Sequence, residues 1–132
     1  MAFTTMTGLL GWSVVLLLAQ VVAQTLSTLL VVGLPAAMSP RDGGNNPPSQ
    51  LAGRLARALA NLLETYPAFV ALALGLIVTS KASGMGLTGA QLWLAARVVY
   101  VPIYAAGIPV IRTGVWTVSI IGLVMMLMAL WA

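Results

Sequence analysis

From Leu9 to Leu34 the chain carries no charged side chain. At about 1.5 Å per helical residue, such a run crosses the roughly 30 Å hydrocarbon core of a bilayer. Of the 132 residues, 61% are hydrophobic and only 6% are charged, too few to clothe a soluble domain. The solvent this chain is built for is therefore lipid. No Lys or Arg precedes Arg41, so the basic start of a cleaved signal peptide is missing, and the run reads as a retained first helix.

Four apolar segments are expected as transmembrane helices, at about 8–34, 50–80, 89–106 and 110–131, forming one domain over 1–132. The fold class is all-α, an integral membrane four-helix bundle. MSPRDGGNNPPSQ, rich in Pro, Gly and Asn, gives a loop over 35–49. KASGMGLTG forms the second loop, with Thr88 as the expected N-cap of the third helix. Gly107 and Pro109 mark a tight turn before the fourth, and Trp131 sits where an interfacial aromatic is expected. Arg41, Arg54, Arg57 and Arg112 lie in or beside the first and third connections, against Lys81 alone on the other side. The positive-inside rule then makes loops one and three cytoplasmic and puts both termini outside.

Helical residues three, four and seven apart share a face. Arg54, Arg57, Asn61 and Glu64 make one such stripe on the second segment. Trp93, Arg97, Tyr100 and Tyr104 make another on the third, Arg112, Trp116 and Ser119 on the fourth, and Ser13, Gln20, Gln24 and Ser27 on the first. A bundle that turns these stripes inward is expected. By rise per residue, Glu64 lies roughly 12 Å inside the hydrocarbon and Arg97 roughly 13 Å from the opposite face, at nearly one level. That predicts a Glu64–Arg97 ion pair, because an unpaired charge at this depth costs at least a few kcal/mol. The remaining arginines outnumber their acids, so a cytoplasm-facing pocket of guanidinium and tyrosine hydroxyls suits a polar anion. There is no Cys and no His. Thiolate nucleophiles of the chain's own, histidine acid–base chemistry and most zinc sites are thereby excluded, and no metal is expected.

RALANLLETYPAF resembles the helix-two signature of the MAPEG superfamily, the membrane-associated proteins in eicosanoid and glutathione metabolism. RVVYVPIY on the third helix and PVIRTGVW at the start of the fourth are similar to further motifs of that family. PRDGGNNPPSQLAGRLARA looks like its bacterial branch. The resemblance implies a homotrimer in a bacterial inner membrane, with glutathione held between neighbouring subunits. It implies that Arg57, Asn61, Glu64, Arg97, Tyr100 and Tyr104 surround glutathione as co-substrate, and that Arg112 stabilises its thiolate for attack on a lipophilic electrophile. The chain departs from eicosanoid-pathway members at Ala60, where many carry a basic residue, and at Trp116, where they carry an aromatic hydroxyl. Its first helix offers Gln20 and Gln24 but no arginine.

The activity so implied is that of a glutathione transferase or peroxidase. A second reading is a non-catalytic protein on the same fold that binds an anionic lipid or another anion. A small multidrug exporter would also have four helices, but it needs an acidic residue on the first helix, and none is there. No nucleic-acid partner is expected. Simpler roles exist for several residues: Arg54 and Arg57 as headgroup anchors, Gln20 and Gln24 as interhelical hydrogen-bond formers, and Trp93, Trp116 and Trp131 as packing or belt residues.

Overall fold

The computed structural model describes residues 2–40 and 49–132. Its elements are α1 (Met6–Val32), α2 (Leu34–Met38), α3 (Gln50–Val78), α4 (Gly84–Ala106) and α5 (Pro109–Trp131). The four long helices form the expected all-α bundle, and no strand occurs among the described residues. α1, α3 and α5 are each long and apolar enough to cross a membrane. α4 has the same 23 residues as α5. It is less apolar because it carries Gln91, Arg97 and two tyrosines.

Helix limits follow local chemistry. Thr5 caps α1, its hydroxyl accepting the amide of Gly8 at 3.1 Å. Gly33, at φ 80°, ends α1, and Pro35 follows in the first turn of α2. The stretch expected as loop from residue 35 therefore begins with a short helix. Ser49 caps α3 through a 3.0 Å bond from the amide of Ala52. α4 starts at Gly84, a turn before the expected 89, with Ser83 rather than Thr88 at the N-cap position. Thr88 lies inside the helix and donates its hydroxyl to the Gly84 carbonyl at 3.0 Å. Gly107, in the left-handed region at φ 75° and ψ 32°, closes α4, and Pro109 opens α5. Arg41 and the rest of RDGGNNPP, residues 41–48, lie outside the described residues.

The centre of the bundle is an aromatic cluster. Phe69 of α3 and Trp93 of α4 stack with ring centroids 3.9 Å apart, and Tyr66 stands 6.1 Å from Trp93. Leu9, Leu62, Leu76 and Met126 close around them, all buried. Ser13 of α1 reaches the hydroxyl of Tyr66 at 2.9 Å while donating to the Leu10 carbonyl, so two polar side chains are satisfied inside the bundle. At one end, Lys81 donates to the carbonyls of Leu130 and Ala132 at 2.9 and 2.8 Å. That places a cation on the negative end of α5, which favours it.

α4 and α5 pack most tightly. A Cβ on Gly89 would fall 2.6 Å from the carbonyl oxygen of Gly122, and one on Gly122 would fall 2.6 Å from the carbonyl oxygen of Gly89. Backbone meets backbone here, as small residues permit between membrane helices. Gly89→Ala is expected to cost about 1–3 kcal/mol through forced separation of the helices. Gly114→Ala, where a Cβ meets nothing within 4 Å, should be neutral or gain about 0.5–1 kcal/mol. Thermal unfolding of both variants in one detergent checks this, and equal melting temperatures would contradict the close approach.

Candidate functional site

The polar stripes converge at the end of the bundle where α4 turns into α5. A cleft of about 260 Å³ opens there between α3, α4 and α5, lined by Asn61, Tyr100, Tyr104, Arg112, Thr113 and Trp116. α5 supplies Arg112 and Trp116 one turn apart on one face, with Thr113 beside them. α4 supplies Tyr100 and Tyr104 at the same spacing, with rings 5.5 Å apart.

Arg97 lies behind this cleft and is only 1% exposed. Its Nη1 donates to Oδ1 of Asn61 at 2.8 Å, and its guanidinium carbon sits 4.5 Å from the Tyr100 ring centroid. Its Nε and Nη2 have no hydrogen-bond partner among the described residues. Unmade bonds on a buried cation are expensive, so two unpartnered donor nitrogens mark a position suited to an acceptor group. Nearer the open end, the Nε of Arg57 donates to the Tyr104 hydroxyl at 3.2 Å. The Arg112 guanidinium lies 4.8 Å from the centroid of the same ring. Tyr104 is thus held by two cations, one at its hydroxyl and one over its face, an arrangement worth about 0.5–2 kcal/mol for the ring contact. Arg54 donates to the Ala105 carbonyl at 3.1 Å, so it caps the last turn of α4 instead of only anchoring α3 among headgroups.

The Glu64–Arg97 pair does not form. Glu64 is exposed on α3 and makes no ion pair with a described residue. Three residues carry a helix about 60° short of a full turn. That rotation leaves Asn61 at the α3–α4 seam and swings Glu64 past it. Asn61 makes the contact instead. Arg57 is likewise exposed, so half of the α3 stripe faces outward from a single chain. On α4 the stripe is inward, with Trp93, Arg97 and Tyr100 buried and Tyr104 half-buried. On α1, Ser13 and Gln20 are buried while Gln24 and Ser27 are half-buried.

Six of the seven residues expected at the site gather in one region: Arg57, Asn61, Arg97, Tyr100, Tyr104 and Arg112 are linked by hydrogen bonds and ring contacts, and Glu64 flanks them. Trp116 and Thr113 belong to the cleft wall without having been expected there. Their signal was position alone, within one turn of Arg112. No group of His, Cys, Asp and Glu able to hold a metal occurs among the described residues.

Four helices of bilayer length, three of them apolar enough to span it, make this an integral membrane protein with a cleft walled by guanidinium and tyrosine at one end of the bundle. The chain belongs to the MAPEG family, whose model matches residues 3–132. That family includes glutathione transferases and peroxidases. No curated protein and no solved structure matches the chain significantly.

Arg97 should depend on Asn61 more than on Glu64. Asn61→Leu leaves the guanidinium with no hydrogen bond among the described residues and is expected to cost about 1–3 kcal/mol. Glu64→Gln should cost less. Melting temperatures in one detergent decide it, and the reverse order would restore the carboxylate as the partner.

Proposed function

We propose that this protein is a glutathione-dependent transferase or peroxidase of the bacterial inner membrane, working on lipophilic electrophiles. The observation that carries the reading is the pairing of Arg112, poised over Tyr104 at the cleft, with the two unpartnered donor nitrogens of Arg97 behind it. Glutathione supplies a thiol for nucleophilic attack and two carboxylates for recognition. The residues fit those groups, because surplus guanidinium binds carboxylates well, by paired donors where geometry allows.

In this reading Arg97, Arg57 and Asn61 bind and orient, and Tyr104 holds Arg112 in place by its ring. Arg112 remains charged throughout. It stabilises the thiolate, while the thiol proton leaves to water. Attack forms a carbon–sulfur bond and breaks the bond to the leaving group, or opens a strained ring whose oxygen then takes a proton. A free thiol has a pKa near 8.5. A guanidinium within about 4–6 Å favours the charged form, by about 1–3 units for a carboxylate in the same position. The thiolate is then present at neutral pH instead of only above it.

Self-association is part of the proposal. An exposed carboxylate roughly 12 Å inside the hydrocarbon is costly against lipid. The outward set of Arg57 and Glu64 supports a homotrimer in which a neighbour covers this face and completes the site. The basic end carrying Arg54, Arg57 and Arg112 supports a cytoplasmic cleft, with both termini on the far side.

Titrating glutathione into purified protein, with thiolate followed by its ultraviolet absorbance across pH, is the test. The wild type should show saturable thiolate with an apparent pKa about 1–3 units below 8.5. Arg112→Ala should return it to near 8.5 while the protein stays folded. An unchanged titration in that variant removes Arg112 from the thiolate role. A saturable site that binds anions but never shifts the thiol would favour the non-catalytic anion-binding reading.

A further inference from the structure

A second concavity lies on the other side of α4, between α4 and α1. It has a volume of about 760 Å³ and is walled by Trp12, Leu16 and Ala19 of α1 and by Leu94, Ala95 and Val98 of α4. Gln91 is the polar side chain among its lining residues, and its amide already donates to the Phe3 carbonyl at 2.8 Å. Apart from the Gln91 amide and the indole N–H of Trp12, the lining side chains are hydrocarbon. Such a wall suits a largely apolar occupant.

Size and depth narrow the occupant further. From Leu9 to Ala19 the α1 wall is about 15 Å long by rise per residue. Half of a roughly 30 Å hydrocarbon core is also about 15 Å. The groove begins at the α1 N-terminal end and so spans one leaflet. Its volume over that length gives a section of about 50 Å², roughly half that of a helix about 10–12 Å across. The paired acyl chains of one lipid are slim enough to lie in it along its whole length. The groove's outer end carries the stacked rings of Phe3 and Trp12, centroids 5.1 Å apart, beside Gln91. An amphipathic edge of this kind suits the ester and headgroup level of a membrane.

We propose that the α1–α4 groove is a binding site for a single membrane lipid of the leaflet on the α1 N-terminal side, held by its acyl chains. The lipid fills the gap between α1 and the rest of the bundle. It is separate from the anion cleft, and nothing in it depends on the glutathione reading.

The test supplies dioleoylphosphatidylcholine to the full-length protein in mild detergent and counts retained lipid by native mass spectrometry. The wild type should keep one lipid per chain through gentle detergent exchange. Ala95→Trp and Ala19→Trp, both at exposed positions in the groove, should each abolish that retained lipid with helical content unchanged. Val124→Trp, at an exposed position of α5 outside the groove, should keep it. Lipid retained equally by all variants, or by none including the wild type, overturns the proposal. So does a second copy in the groove. The chain has no cysteine of its own, so oxidative cross-linking of Ala95→Cys chains to one another would report that occupant.

Discussion

A buried guanidinium organises this bundle. Arg97 stands near the middle of α4 with its charge shut away from water and one hydrogen bond, to Asn61, to offset the desolvation. Such a charge is tolerated in a membrane only where the bundle encloses it and supplies polar partners. The requirement explains the neighbourhood: Asn61 at the α3 seam, the Tyr100 ring under the guanidinium, and a second tyrosine one turn on that engages Arg57 and Arg112. A chain wanting only four packed helices would have spent none of these residues at this depth. Their presence gives the end of the bundle a polar cleft and not just a helix terminus.

The remainder of the fold holds that site rigid. Gly89 and Gly122 bring α4 and α5 into backbone contact, and the Gly107–Pro109 turn joins the two helices at the cleft. Tyr104 and Arg112 sit on either side of that turn, so their contact is set by a short, stiff connection. Arg54 strengthens it by capping α4 from α3. At the far end, Lys81 ties the α3–α4 connection to the last turn of α5. The Phe69–Trp93 stack fills the space between. Each helix of the cleft is thereby fixed at both ends, which a binding site built from long side chains needs if their geometry is to persist.

Much of this was legible in the sequence, because lipid imposes simple rules. Long uncharged runs announce the spans, Gly107 and Pro109 announce the turn, and the Trp93–Arg97–Tyr100–Tyr104 spacing announces one inward face of α4. The α3 stripe was harder. Periodicity says that Arg57, Asn61 and Glu64 share a broad face, but not which edge of that face meets α4. Opposite charge pointed to Glu64, and a rotation of about 60° between residues 61 and 64 gave the contact to Asn61 instead. The start of α4 was misplaced because Thr88 looks like a cap, whereas the chain enters the helix at Gly84 without a side-chain cap bond. Lys81 read as a marker of topology, and its real contacts are carbonyls at the end of α5, far away in sequence. Trp116 read as packing although it shares an inward stripe with Arg112, and Thr113 was given no role, since spacing does not distinguish a cleft wall from a packed seam.

Reading the cleft as a ligand site turns on the unpartnered nitrogens of Arg97. Calorimetric titration of S-methylglutathione, whose thiol is blocked, tests recognition apart from thiolate chemistry. Saturable binding at up to millimolar ligand, weakened at least about tenfold by Arg97→Lys because an ammonium lacks the planar donor fork, is the result expected. Equal affinity in the two proteins, or no binding to either, would contradict it.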